Sequence, residues 1–233
     1  MNIDTAAVVV DFPLRGEWIA PNTPGKKVPS HGTYQYGEAY AYDFVKVDAK
    51  DRYRKFYDAS PMEYLLHGVP LERCYGWGAE IYSPCDGEVV EVEGGVAERS
   101  KADLAADSRY TVEVTRRIKA GEADYKDVAG NYIVMRCGGG VYAAFAHLQA
   151  GSILVAKGQR IIKGQMLGRV GHSGNSTAPH LHFQLMDSGD IESAKGIPCA
   201  FAAYEVLRNG KWAHVEEGIP NHKEILRRMV KSE

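Results

Sequence analysis

The segment Ala178-Pro179-His180-Leu181-His182-Phe183-Gln184 constrains this chain more than any other. On an extended strand alternate side chains share a face. His180 and His182 are therefore expected side by side, with Leu181 and Phe183 turned into a core. Pro179 falls at the strand entrance, where its missing donor does least harm. Two imidazoles on one face suggest a metal site. The preceding loop, Gly171-His172-Ser173-Gly174-Asn175-Ser176-Thr177, is rich in turn formers and is expected to build the rim of a cleft.

At 233 residues and 45% hydrophobic content, the chain can bury a full core as one all-β domain. The formal charge of -2 comes without any basic stripe interleaved with aromatics, which argues against nucleic acid as a partner. No apolar run reaches the length of about 18 residues that a membrane span needs. The opening Met1-Asn2-Ile3-Asp4 lacks the basic and apolar regions of a signal peptide. The expectation is a cytoplasmic protein, or one of the cell envelope or exterior if export uses another route. Cys74, Cys85, Cys137 and Cys199 form no CxxC pair and read as buried or half-buried free thiols.

Along the chain, Pro13, Pro21, Pro24 and Pro29 suggest an N-terminal arm laid over the domain rather than a packed element. Tyr40 to Val47 alternates, with Tyr40, Tyr42 and Phe44 on one side and Asp43 among small apolar neighbours on the other. Ser60-Pro61-Met62-Glu63 reads as a capping box opening a short helix that ends at His67. Strands are expected over 79–84, 87–92, 132–135 and 141–146, with short ones near 160–162 and 165–167. Residues 96–127 are charged and alanine-rich and read as an insertion off the sheet, either a lid over the cleft or a decoration. Asn209-Gly210 signals a hairpin, and Asn221 with Glu224 signals a capped C-terminal helix. The expected organisation is a single domain over 1–233, with a core at about 30–187 and a hairpin and helix at 200–231.

Among the eight histidines, His67 and His222 read as structural or incidental, His214 and His172 have no partner at ligand spacing, and His172 is a candidate lining residue of the cleft. His147 closes the apolar run Val141-Tyr142-Ala143-Ala144-Phe145-Ala146 and is expected at a sheet edge. Asp43 needs a partner, because a bare carboxylate on an apolar face is costly. His31 lies in a loop. Imidazoles with one carboxylate suit zinc, and three protein ligands leave a position for a water whose pKa falls to around 7.

The run Gly158-Gln159-Arg160-Ile161-Ile162-Lys163-Gly164-Gln165-Met166-Leu167-Gly168, the segment from Gly171 to Phe183, and Phe145-Ala146-His147-Leu148 closely resemble the lysostaphin-like (LytM-type) zinc metalloendopeptidases. The likeness includes Ile81 to Val90 and covers about Ser30 to Met186. It implies a mainly β fold, a small antiparallel sheet or sandwich of the duplicated hybrid motif type with short peripheral helices. It also implies one zinc ion held by Asp43 and His182, with His147 and His180 moving protons and stabilising the oxyanion. The family's remaining histidine belongs four residues before the aspartate, where this chain has Ala39. His31 is the nearby candidate, delivered by a loop that Gly32 and Gly37 allow to reverse. Gln184 stands where relatives commonly carry glutamate, and it either orients a ligand or contacts substrate.

The implied function is a zinc-dependent endopeptidase that splits peptide bonds with a metal-activated water, in peptidoglycan stem or cross-bridge peptides. The departure at Ala39 leaves open a metal-poor, inactive module that binds a peptide, glycan or protein. A sugar-phosphotransfer carrier is the third reading, and the Pro-His-Leu-His-Phe run argues against it. The oligomeric state is open.

Overall fold

The computed structural model describes residues 7–229. In chain order its elements begin with β1 (Val8–Val10), β2 (Trp18–Asn22), a 3-10 segment (Gln35–Tyr40), β3 (Tyr42–Lys46), α1 (Pro61–His67), β4 (Val69–Pro70), β5 (Glu80–Tyr82) and β6 (Gly87–Glu93). Next come β7 (Lys101–Ala102), α2 (Leu104–Lys119), α3 (Tyr125–Ala129), β8 (Asn131–Gly138) and β9 (Val141–Leu148). The chain continues with β10 (Arg160–Ile161), β11 (Met166–Arg169), β12 (His180–Met186), β13 (Gly196–Ile197), β14 (Cys199–Arg208), β15 (Lys211–Gly218) and β16 (Ile225–Arg228). Among the described residues, no helix is long and apolar enough to cross a membrane.

One 12-stranded sheet organises the molecule, in the order β1-β14-β16-β2-β3-β12-β9-β8-β6-β10, with β13 on β12 and β15 on β14. The fold is mostly β as expected, but the sheet is large and mixed, because β1 pairs parallel to β14. Its main core holds Phe12, Trp18, Phe44, Phe145, Phe183 and Phe201. Period-2 patterning puts these residues there. On β12, Leu181, Phe183 and Leu185 face this core while His180, His182 and Gln184 face the other way.

The N-terminal segment is a correction to the expected arm. Val10, Phe12, Leu14, Trp18 and Ala20 are buried, β1 joins β14, and β2 is an interior strand between β16 and β3. Pro21 is accommodated where the β2–β3 register shifts between Ile19 and Asn22. The expected C-terminal helix is also corrected. Both side chains do cap the backbone here, Asn221 Oδ1 accepting from Lys223 N at 3.1 Å and Glu224 Oε2 from Asn221 N at 3.1 Å. They close a turn instead, because the buried Ile225 and Leu226 pair with β2 and β14 as strand β16. Residues 230 and 231 of that expected helix lie outside the described residues.

The other elements follow the sequence closely. Ser60 Oγ caps α1 by accepting from Glu63 N at 3.0 Å, whereas the Glu63 carboxylate accepts from Arg73 and leaves the box half made. Asn209 and Gly210 have φ of 52° and 75°, as a tight hairpin turn demands. All four cysteines are free. The 96–127 segment stands off the sheet but is helical, carrying α2 and the first residues of α3.

The loop over 171–177 is seated by two facing glycines. A Cβ on Gly174 (φ +63°) would overlap the Gly130 nitrogen and the Val128 carbonyl, and one on Gly130 (φ +66°) would overlap the Ser173 backbone. Gly174→Ala is therefore expected to lower the unfolding free energy by about 2–4 kcal/mol from left-handed strain and overpacking. Urea denaturation measures this, with Gly94→Ala, which meets only Ile153 at 3.7 Å, as a control expected within about 0.5 kcal/mol of the parent.

Candidate metal centre

Asp43 and His182 are brought together by strand register. In the β12–β3 ladder His182 lies directly opposite Asp43, and in the β12–β9 ladder it lies opposite Ala146. Both side chains leave the sheet on the face away from the main core, and the histidine Nδ1 sits 3.0 Å from Asp43 Oδ1.

His147 reaches the same face through a bulge. Strict alternation after Phe145 would send it into the main core. Instead Asn131 pairs with Leu148 and Ile133 with Phe145, so Tyr132 alone opposes both Ala146 and His147. His147 takes a φ of 62°, and the extra residue turns its ring toward His180, with ring centroids 4.6 Å apart. The expected sheet-edge position is corrected, because β9 is an interior strand between β12 and β8.

His31 arrives from a loop held against the position that Ala39 occupies. Ser30 N donates to Ala39 O at 2.9 Å and Ser30 Oγ donates to Glu38 O at 3.1 Å. Gly32 and Gly37 both adopt positive φ in this reversal. The result puts His31 Nε2 2.9 Å from Asp43 Oδ2. Asn22, at the end of β2, donates to the same oxygen at 2.7 Å. His31, Asp43 and His182 thus offer three ligand atoms all within 4.8 Å of one another.

Acceptor-only neighbours determine which ring nitrogens carry protons. Gln184 Nε2 donates to Tyr36 O at 2.6 Å, so Gln184 Oε1 faces His182 Nε2 at 2.8 Å and takes its N–H. Ser30 Oγ, having donated to Glu38 O, accepts from His31 Nδ1 at 3.0 Å. Each neutral ring therefore turns a bare nitrogen toward the Asp43 carboxylate, an arrangement that a shared cation reconciles. The donor set and the hydrogen bonds behind it fit a zinc ion. His147 Nδ1 and His180 Nδ1 likewise donate to carbonyls, Ser173 O at 3.0 Å and Ala178 O at 2.7 Å. His180 Nε2 lies 3.4 Å from Asp43 Oδ1.

The electrostatics follow. Burial opposes the charge on Asp43, yet His31, His180 and His182 around it hold the carboxyl well below the usual carboxylate range. Burial pushes His147 well below the usual imidazole value, and His180 and His182 push it further. Burial also disfavours a charged His182, but the Asp43 hydrogen bond and charge override it and push that ring up to about 9. Without a metal, a proton on His182 takes the cation's place.

The cleft beyond these groups has a volume of about 450 Å³. One wall is the insertion, through Thr111, Val114, Thr115 and Ile118 of α2, so the segment does more than decorate the sheet. Tyr36 lines the cleft as well. His172 does not line it. That ring is fully buried beside Asp107, with Nε2 3.3 Å from Oδ1. His67 ends α1, His214 pairs with Glu216 at 3.1 Å on β15, and His222 lies in the turn before β16. Sequence reasoning missed Ser30, Arg99, Asp107 and Ser176, whose only signal was being polar residues close to loops or caps.

Residues 98–193 match the model of Peptidase family M23. The match includes His147, His180 and His182 and begins after His31 and Asp43. The peptidoglycan DD-endopeptidase ShyA of Vibrio cholerae is 43% identical over 61 residues, which cover 26% of this chain and 14% of that protein. The peptidoglycan DD-endopeptidase ShyB of the same organism is 29% identical over 139 residues, 57% of this chain and 30% of that protein. The chain thus spans less than a third of the length of either relative. Among solved structures, the catalytic domain of the antimicrobial peptidase lysostaphin from Staphylococcus simulans is similar at 18% identity and a TM-score of 0.36, over 78% of this chain and 88% of that one.

In metal-stripped protein, NMR titration of His182 is expected to give a midpoint near 9. Asp43→Asn removes the interaction that raises it and leaves burial, so the midpoint should fall below the ordinary imidazole value of about 6.5. A raised pKa stabilises the fold fully below about 6.5, and that contribution is lost as pH rises through about 9.

Proposed function

We propose that this chain is a zinc-dependent endopeptidase, with His31, Asp43 and His182 as metal ligands and His147 and His180 as the proton-transfer pair. The observation that carries this reading is the convergence of three ligand atoms beside two further imidazoles, His147 and His180, whose Nδ1 atoms are held by backbone carbonyls. When bound, a zinc ion supplies a Lewis acid and a water of lowered pKa. His147 and His180 take a proton at Nε2 and return it to the leaving amine, and as imidazolium they stabilise negative charge on the attacked carbonyl oxygen. The free carboxylate charge of Asp43 and the hydrogen bonds of Ser30 and Gln184 hold the ligand rings in place.

A peptide is the substrate class the cleft suits, with threonine and asparagine side chains beside Val114 and Ile118 on its walls. The relatives named peptidoglycan DD-endopeptidases support peptidoglycan stem or cross-bridge peptides as the specific target. The departure at Ala39 was the ground for a metal-poor binding module, and His31 at 2.9 Å from Asp43 speaks for the enzyme instead.

Elemental analysis is expected to find about one zinc per chain, and a chelator should abolish muropeptide cleavage until zinc is restored. His31→Ala and His182→Ala should each weaken zinc binding at least about 100-fold, measured by competition with a chromophoric chelator. His147→Ala should retain the metal yet lose about 100- to 10,000-fold in kcat. Full cleavage by metal-free protein, or by the His182 variant, would overturn the assignment.

A further inference from the structure

The cluster behind the cleft has no part in the reading above. Arg99 stands just before α2 and Asp107 in its first turn. Arg99 Nε donates to Asp107 Oδ1 at 2.8 Å, and Asp107 Oδ2 accepts from Asp103 N at 2.8 Å. Asp107 is 1% exposed and His172 is fully buried. From this anchor the guanidinium reaches into the 171–177 loop, donating to Gly174 O at 2.9 Å and Ser176 O at 2.5 Å. Its Nη2 also lies 3.4 Å from His172 Nε2. A planar fork bonded on several edges fixes both distance and angle.

The hydrogen-bond census then runs to His180. Ser176 has one hydroxyl proton, and Ala178 O, which only accepts, takes it at 2.7 Å. Ser176 Oγ is left to accept from His172 Nδ1 at 3.0 Å and, at 3.1 Å, to share the His180 Nδ1–H that Ala178 O takes at 2.7 Å. His172 Nε2 lies between Arg99 Nη2 at 3.4 Å and Asp107 Oδ1 at 3.3 Å.

We infer that Arg99, neutralised by Asp107, is a positioning residue that sets the orientation of His180 through the loop carbonyls, His172 and Ser176. The inference rests on the peptidase reading, since it concerns the aim of a proton-transfer group. It also gives the insertion a role. Asp107, Thr111, Val114, Thr115 and Ile118 form one stripe of α2, whose first member grips the catalytic loop while the others line the cleft. The cleft wall and the loop that leads into the strand of His180 are thus joined through Arg99 and Asp107.

Two variants test this, Ser176→Ala, which removes only the shared hydroxyl, and Arg99→Gln, which removes the fork. Each is expected to lower kcat on a cross-linked muropeptide about 10- to 100-fold, with KM and zinc content within about twofold of the parent. A second readout needs no catalysis. In metal-stripped protein the His180 Nδ1–H resonance, assigned by its loss in His180→Gln, should exchange with solvent at least about tenfold faster in both variants. If both variants are folded and keep the parent kcat and exchange rate, the inference is overturned. It is equally overturned if the loss of kcat merely follows a loss of zinc. If the parent cleaves nothing, the peptidase reading fails, while the exchange rates still decide whether Arg99 and Ser176 hold His180.

Discussion

A carboxylate removed from water must be surrounded by groups that answer its charge, and Asp43 is that carboxylate here. It sits on an interior strand with His31, Asn22, His180 and His182 all within 3.4 Å of its oxygens. Four separate segments of the chain meet at this one group. The sheet order brings β2, β3 and β12 side by side, and the loop at 30–31 is tied to the backbone beside Asp43. Two imidazoles turn bare nitrogens toward the carboxylate, so an apo site holds a proton where a dication would sit. Architecture and chemistry are coupled at this point, because any shift in strand register would leave a buried charge unanswered.

The residues legible from sequence were those whose role follows from local spacing. His180 and His182 share a face because strands repeat every two residues, and the Asn209-Gly210 turn follows from two residues at positive φ. Asp43 showed itself as a charge among apolar neighbours. His147 had a visible motif but a misleading period, because a bulge of one residue reverses the face that alternation assigns. His31 was identified only as the nearby candidate, since nothing in a spacing of twelve residues encodes the crossing of Ser30 over Ala39.

Other misreadings have a common physical cause. Prolines near the N-terminus hid Phe12 and Trp18, which are core residues because strands far away in sequence supply their partners. Asn221 and Glu224 make the same hydrogen bonds at the head of a strand that they would make at the head of a helix, so the local signal was satisfied by a different continuation. Arg99 and Asp107 read as charges of a solvated insertion. Asp107 is buried, and the Arg99 fork bonds the carbonyls of Gly174 and Ser176 more than seventy residues downstream, a contact that no window of sequence contains.

The position of β16 has a temporal consequence. This strand wedges between β14 and β2, and β2 carries Asn22 to Asp43. While the chain is being synthesised, β2 and β14 can meet only water along their facing edges until residues 225–228 leave the ribosome. Closure of the sheet is thus a late, long-range event, with the slow kinetics that such pairing carries and with exposed strand edges for chaperones to shield meanwhile.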